Sequence, residues 1–267
     1  MNAMNKNGPL ALCFNALVIA FTVAPLLVVC LVAFTPGETL SLPTTAFSLR
    51  WFRTLLEHDE FLQSFWTSLG LAAASATLCC LIAVPAGIAI TRHAFAGRNL
   101  VNSLLLSPLL IPHLVLGVAL MRMFSLVGGA GSLGWLLLAH TMVITPYVLR
   151  QVVSALTGFD ASAEQAAVSL GASRATVFRR IVLPMILPGV TGGWMLAFIN
   201  SFDEVTMSIF VTSPSTVTLP VRMYMYATES LDPMMAAVSA LMIALTAAAM
   251  LVIDRVYGLD RMLVGRA

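Results

Sequence analysis

The side chains able to do chemistry in this chain are few, and most are set in apolar surroundings. Asp203 and Glu204 stand side by side at the end of an uncharged stretch that begins at Ile181. Carboxylates at membrane depth are costly and face a protein interior or a wet cavity. Successive helical positions point ~100° apart, so at most one of the two faces such a cavity directly. A cationic solute would meet a carboxylate there. The competing reading is structural, with Arg122 pairing with Asp203 or Glu204. His113 follows Pro112, whose ring removes a backbone donor and loosens a helix at that point. A helix break beside a polar side chain suits a solute site, although a histidine inside a bundle also serves as a hydrogen-bonded packing residue. Asn200 either lines the same cavity as Asp203 or bonds across helices. His140 reads as packing.

Other chemistries fail on inventory. The histidines His58, His93, His113 and His140 fall on different elements, and no paired-histidine metal motif occurs. No serine sits in a glycine-flanked protease motif. Lys6 is the only lysine, so the folded body offers none to a phosphate-binding loop or a Schiff base. Cys13, Cys30, Cys79 and Cys80 lie in apolar runs and read as small hydrophobes.

The elements that must position these residues follow from composition. Of 267 residues, 59% are hydrophobic and 10% charged, far from a water-soluble domain. A helical span needs ~20 apolar residues. The uncharged stretches predict an all-α membrane protein, a single domain over 1–267 with six spans near 10–34, 64–91, 99–123, 133–153, 181–211 and 233–254. The first is read as a retained helix, because it is longer than the apolar core of a cleaved signal peptide. With the amino terminus inside, Lys6, Arg92, Arg98, Arg150, Arg174, Arg179, Arg180, Arg255, Arg261 and Arg266 are cytoplasmic, ten of the fourteen basic residues. Arg50, Arg53, Arg122 and Arg222 remain outside, so the positive-inside rule puts both termini in the cytoplasm. Trp51, Trp66 and Trp135 read as interfacial anchors.

The cytoplasmic segment between the fourth and fifth spans has structure written into it. Ser162 followed by Gln165 fits a capping box that starts a short helix. Gly171 ends that helix in the left-handed conformation. Ser173 caps a second helix, which runs through Val177, Phe178 and Ile181 into the membrane, with Arg179 and Arg180 at the lipid boundary.

Glu164-Gln165-Ala166-Ala167, then Gly171, then Ile181-Val182-Leu183-Pro184 resembles the EAA motif of permease subunits of ATP-binding cassette importers. Counting back from Gly171, the motif's glutamate falls at Gln165, with the acid one place earlier at Glu164. Ser201 to Val205, Thr218-Leu219-Pro220 and Leu110-Ile111-Pro112 with Leu116-Gly117 are similar to the spermidine/putrescine-like branch, in particular its second, shorter permease. The resemblance implies a six-helix type I importer permease whose coupling helix–turn–helix, 160–184, docks on an ATPase through Glu164, Gln165, Ala166, Ala167, Gly171, Ile181, Leu183 and Pro184. It implies a bacterial inner membrane location and a non-catalytic chain without a cofactor, ATP and Mg being bound by the partner ATPase. The implied partners are a homologous permease in a heterodimer, two copies of the ATPase and an outer substrate-binding protein. The solute expected is a polyamine or related organic amine, on a pathway that includes Asp203, Glu204, His113 and Asn200. The readings set against this are an ion-gradient carrier and an importer of the same class for another solute, such as an amino acid or aminophosphonate.

Overall fold

The computed structural model describes residues 8–42, 46–158, 160–230 and 232–257, and the regular structure among them is entirely helical. Lys6, Arg261 and Arg266, used above for orientation, lie outside the described residues. The chain divides into two compact units, one made of residues up to Leu62 with Met225–Met250, the other of Gln63–Tyr224 with the residues from Leu251.

In the first unit, α1 (Pro9–Val32) opens with proline at its first turn, where the missing N–H costs nothing. Its 24 residues, none of them buried, exceed what a bilayer requires. The short helix α2 (Arg50–Glu57) has Trp51 and Leu55 four apart on its buried face, the spacing of an amphipathic helix. Trp51 is therefore not an interfacial anchor. Its indole N–H donates to the Gly37 carbonyl at 3.1 Å, and its ring lies under the Arg50 guanidinium. Trp66, by contrast, is exposed.

Helix α3 (Asp59–Arg92) carries Asp59 and Glu60 in its first turn and Arg92 in its last, the arrangement that complements a helix dipole. The third apolar stretch is not one helix. It forms α4 (Arg98–Leu106), a 3-10 turn (Ser107–Leu110) and α5 (His113–Leu126), with a bend of 109° between the two arms. Pro112 forces the residue before it out of the helical region, and Ile111 is extended. The remaining long helices are α6 (Leu133–Thr157), with Trp135 packed on Phe124 at its start, α9 (Leu183–Phe202) and α12 (Met234–Tyr257). Between them come α7 (Ser162–Ser169), α8 (Arg174–Val177), α10 (Ser208–Val211) and α11 (Leu219–Glu229). By length and apolarity, α1, α3, α6, Arg174–Phe202 and Met234–Leu251 suffice to cross a membrane, and the bent α4–α5 pair passes when taken together.

The core of the second unit is the α6–α9 interface. A Cβ added at Gly189 would lie 2.9 Å from the Gln151 carbonyl oxygen, and one at Gly193 would lie 3.1 Å from Val148 Cα. The two backbones thus approach directly, as small residues permit where lipid supplies no hydrophobic driving force. Gly117 plays the same part for α5, where a Cβ would lie 3.0 Å from the Met207 backbone.

Candidate functional site

Helix α9 stops at Phe202, short of the 211 expected from hydropathy, and α10 begins at Ser208. The turn between them carries the acid pair, and its geometry separates the two carboxylates. Asp203 is exposed, whereas Glu204 is buried. Glu204 Oε1 accepts the Met207 N–H at 2.6 Å, satisfying a free donor at the start of α10. Its other oxygen, Oε2, lies 2.8 Å from His113 Nδ1. An ionised carboxylate only accepts, so toward it Nδ1 carries the hydrogen. His113 is the first residue of α5, where the helix dipole also favours a negative neighbour. The pairing with Arg122 that the sequence allowed is replaced by this one, and Arg122 is exposed.

His140 holds the same turn through a serine on each helix that flanks it. The imidazole is completely buried, with Nδ1 2.8 Å from Ser201 Oγ on α9 and Nε2 2.9 Å from Ser208 Oγ on α10. A neutral imidazole donates at one nitrogen and accepts at the other, and hydroxyls suit either role. The role of Ser201 and Ser208 as partners of His140 escaped the sequence reading, although a serine on each side of an intramembrane acid pair is the available signal. Asn200 donates to the Leu196 carbonyl of its own helix at 2.7 Å. It precedes Asp203 by three positions, a spacing that puts both near one face. An exposed carboxylate on that face requires water or a partner chain beside it.

The second constellation is the cytoplasmic loop. Helix α7 begins at Ser162, but not through a capping box, since Ala161 is the cap residue and provides no side-chain acceptor. Asp160 takes that role instead, accepting the Ser162 N–H at 2.9 Å and the Ser162 hydroxyl at 2.6 Å. A carboxylate is a stronger acceptor than an amide and favours the positive end of the helix, so it takes the Ser162 N–H that a capping box would give to the Gln165 side chain. Those two bonds hold the Asp160 carboxyl below its usual range, with a smaller contribution from Arg92. Gly171 adopts φ +85°, and the Gly171 and Ala172 N–H groups return to the Val168 and Ala167 carbonyls, closing the helix as a glycine C-cap does. Ser173 Oγ accepts the Thr176 N–H at 3.2 Å, capping α8 as the sequence implies. The chain then passes into α9 through a π turn, Phe178–Val182. Pro184 lacks an N–H and its ring crowds the carbonyl four residues back, so the helix widens there.

Within the loop, Gln165 and Ala166 are exposed, Ala167 and Ile181 are half-buried against the core, Leu183 is half-buried and Pro184 is exposed. Glu164 turns back to its own chain, where Oε1 lies 2.9 Å from Arg92 Nη2 at the end of α3. This pair lines a cleft of about 580 Å³ with His93, Ser169, Arg174 and Phe178.

Comparison with known proteins places these features in one family. Residues 83–259 match the model of the binding-protein-dependent transport system inner membrane component. The spermidine/putrescine transport system permease protein PotC of Haemophilus influenzae is 33% identical over 235 residues, 88% of this chain and 91% of that protein. The putrescine transport system permease protein PotI of Escherichia coli K12 is 31% identical over 232 residues, covering 84% of this chain and 82% of that protein. A bacterial ABC transporter involved in the import of the acidic polysaccharide alginate shares the fold, with a TM-score of 0.69 at 13% identity over 96% of this chain and 98% of its own. The chain thus belongs to the family of inner membrane components of binding-protein-dependent transport systems.

Proposed function

We propose that this chain is one permease subunit of an ATP-driven importer that carries a small cationic solute, a polyamine such as putrescine or spermidine or a related organic amine. The observation that carries the reading is the exposed Asp203 on the turn held by Glu204 and His140, in a chain whose relatives PotC and PotI are named for polyamine transport. The chain does no covalent chemistry in this reading. It works by alternating access beside a homologous second permease, with two copies of a cytoplasmic ATPase below, which hold ATP and Mg, and a substrate-binding protein outside. Both termini are cytoplasmic. The ATPase engages the exposed face of 160–184, around Gln165, Ala166 and Leu170, and Gly171 sets the angle at which α7 meets α8. ATP-driven closure moves that loop, and the bent α4–α5 span and the α9 turn open or close the route past Asp203 and Asn200.

The test is reconstitution of the complex in liposomes with its binding protein and labelled putrescine or spermidine. ATP-dependent uptake that competes with other polyamines supports the reading. Uptake that follows an ion gradient without ATP overturns it.

A further inference from the structure

Glu164 stands where an ATPase contact is expected, yet its carboxylate faces its own chain. It meets Arg92 at 2.9 Å, and each side chain is only about one-fifth exposed, 21% and 19%. Ion pairs in such shelter are screened less than surface pairs, and removal of one partner leaves the other uncompensated. Arg92 also acts on Asp160, the residue that caps α7, by a longer-range attraction. One guanidinium at the end of α3 thus addresses both the first turn of α7 and the carboxylate two positions before it. Close by, α3 is wedged on α6, since a Cβ at Gly87 would come 2.8 Å from Val152 Cγ1. Five residues past Arg92 the chain turns at Gly97, φ +86°, directly into α4.

Two arms therefore leave the loop. One is covalent, running from α8 through the π turn and α9 to Glu204. The other runs through the Arg92–Glu164 pair to the end of α3 and then along α4 and the 109° bend to His113. The arms meet again at the 2.8 Å contact between His113 and Glu204.

We infer that Arg92 and Glu164 are positioning residues for coupling, a strut that makes the α3–α4 arm a second output of the loop, so that both sides of the bend move together. This rests on the permease reading above. Without the strut, motion of α7 reaches α9 alone, and the bend is left behind.

A charge exchange tests it in the complete complex with its binding protein. Spatial adjacency does not establish coupling, but a double-mutant cycle does. Glu164→Arg and Arg92→Glu should each lower uptake per ATP hydrolysed by about tenfold, within the usual range of coupling between sites. The double exchange should restore the ratio to within about threefold of wild type, because the pair reforms with reversed sign. If a single reversal fails to assemble, Glu164→Gln supplies the readout and should reduce the same ratio. Reversals that keep the wild-type ratio, an exchange no better than its parents, or a silent Glu164→Gln would overturn the strut. Wild-type complex without ATP-dependent uptake would instead count against the permease reading.

Discussion

His113 Nδ1 lies 2.8 Å from Glu204 Oε2, joining two residues 91 positions apart in the chain. One belongs to the arm that leaves the bend of the third span and the other to the turn that follows α9. The remaining Glu204 oxygen is committed to the Met207 N–H. Glu204 therefore serves as a fastener, while Asp203 next to it is exposed.

Replacing Glu204 separates those roles. Glu204→Ala orphans a buried backbone donor and removes the acceptor for His113, at a cost of about 1–3 kcal/mol for each group left unsatisfied. The purified variant should melt several degrees lower in detergent and lose uptake, whereas Glu204→Gln keeps one oxygen for Met207 and should retain most of the stability. Equal stability of the alanine variant and wild type would contradict the fastener.

Asp203 should respond in the opposite way. Asp203→Asn leaves packing intact because the side chain is exposed, so melting should not change. Uptake of a cationic solute should fall by about tenfold or more, the loss expected for one charge-assisted hydrogen bond of roughly 1.5–3 kcal/mol. An unchanged transport rate would remove Asp203 from the pathway.

Gly171→Glu probes the loop angle. A Cβ at Gly171 meets nothing within 4 Å, so space is not the obstacle. The cost comes from the backbone, about 1–2 kcal/mol for a left-handed non-glycine residue. The variant should insert and assemble, yet hydrolyse ATP without proportionate uptake. Normal uptake by a normally expressed variant would count against coupling through 160–184.

His140→Ala should act through stability. It leaves two buried serine hydroxyls without their partner and opens a cavity between α6 and the α9–α10 turn, together about 2–5 kcal/mol. His140→Asn should recover part of that loss by bonding one serine. A wild-type melting profile for the alanine variant would contradict the role assigned to the imidazole.

What could be read from residue order divides along the range of the interactions. Gly171 and Ser173 act within a few residues, and the structure places both as local turn and cap chemistry requires. The start of α7 was legible in position but not in cause, because Asp160 takes the Ser162 N–H and hydroxyl, and the Gln165 N–H goes to the Ala161 carbonyl. Pro112 signalled a break, but a proline does not specify a 109° turn. On the far side of the bend α5 packs through Gly117 onto Met207, and His113 meets Glu204, contacts that are not local in sequence. Arg122 was the reasonable partner by charge, and it lost to a histidine that the bend delivers to Glu204. Trp51 likewise reads as an anchor until the Gly37 carbonyl is found beneath it.

An ATP-driven permease for a cationic amine reveals itself in the ATPase rate of the purified complex in lipid. Binding protein loaded with putrescine or spermidine should raise ATP hydrolysis severalfold over the empty binding protein, with uptake of labelled polyamine in parallel. Hydrolysis that does not respond to the loaded protein, with no ATP-dependent polyamine uptake, would exclude that function.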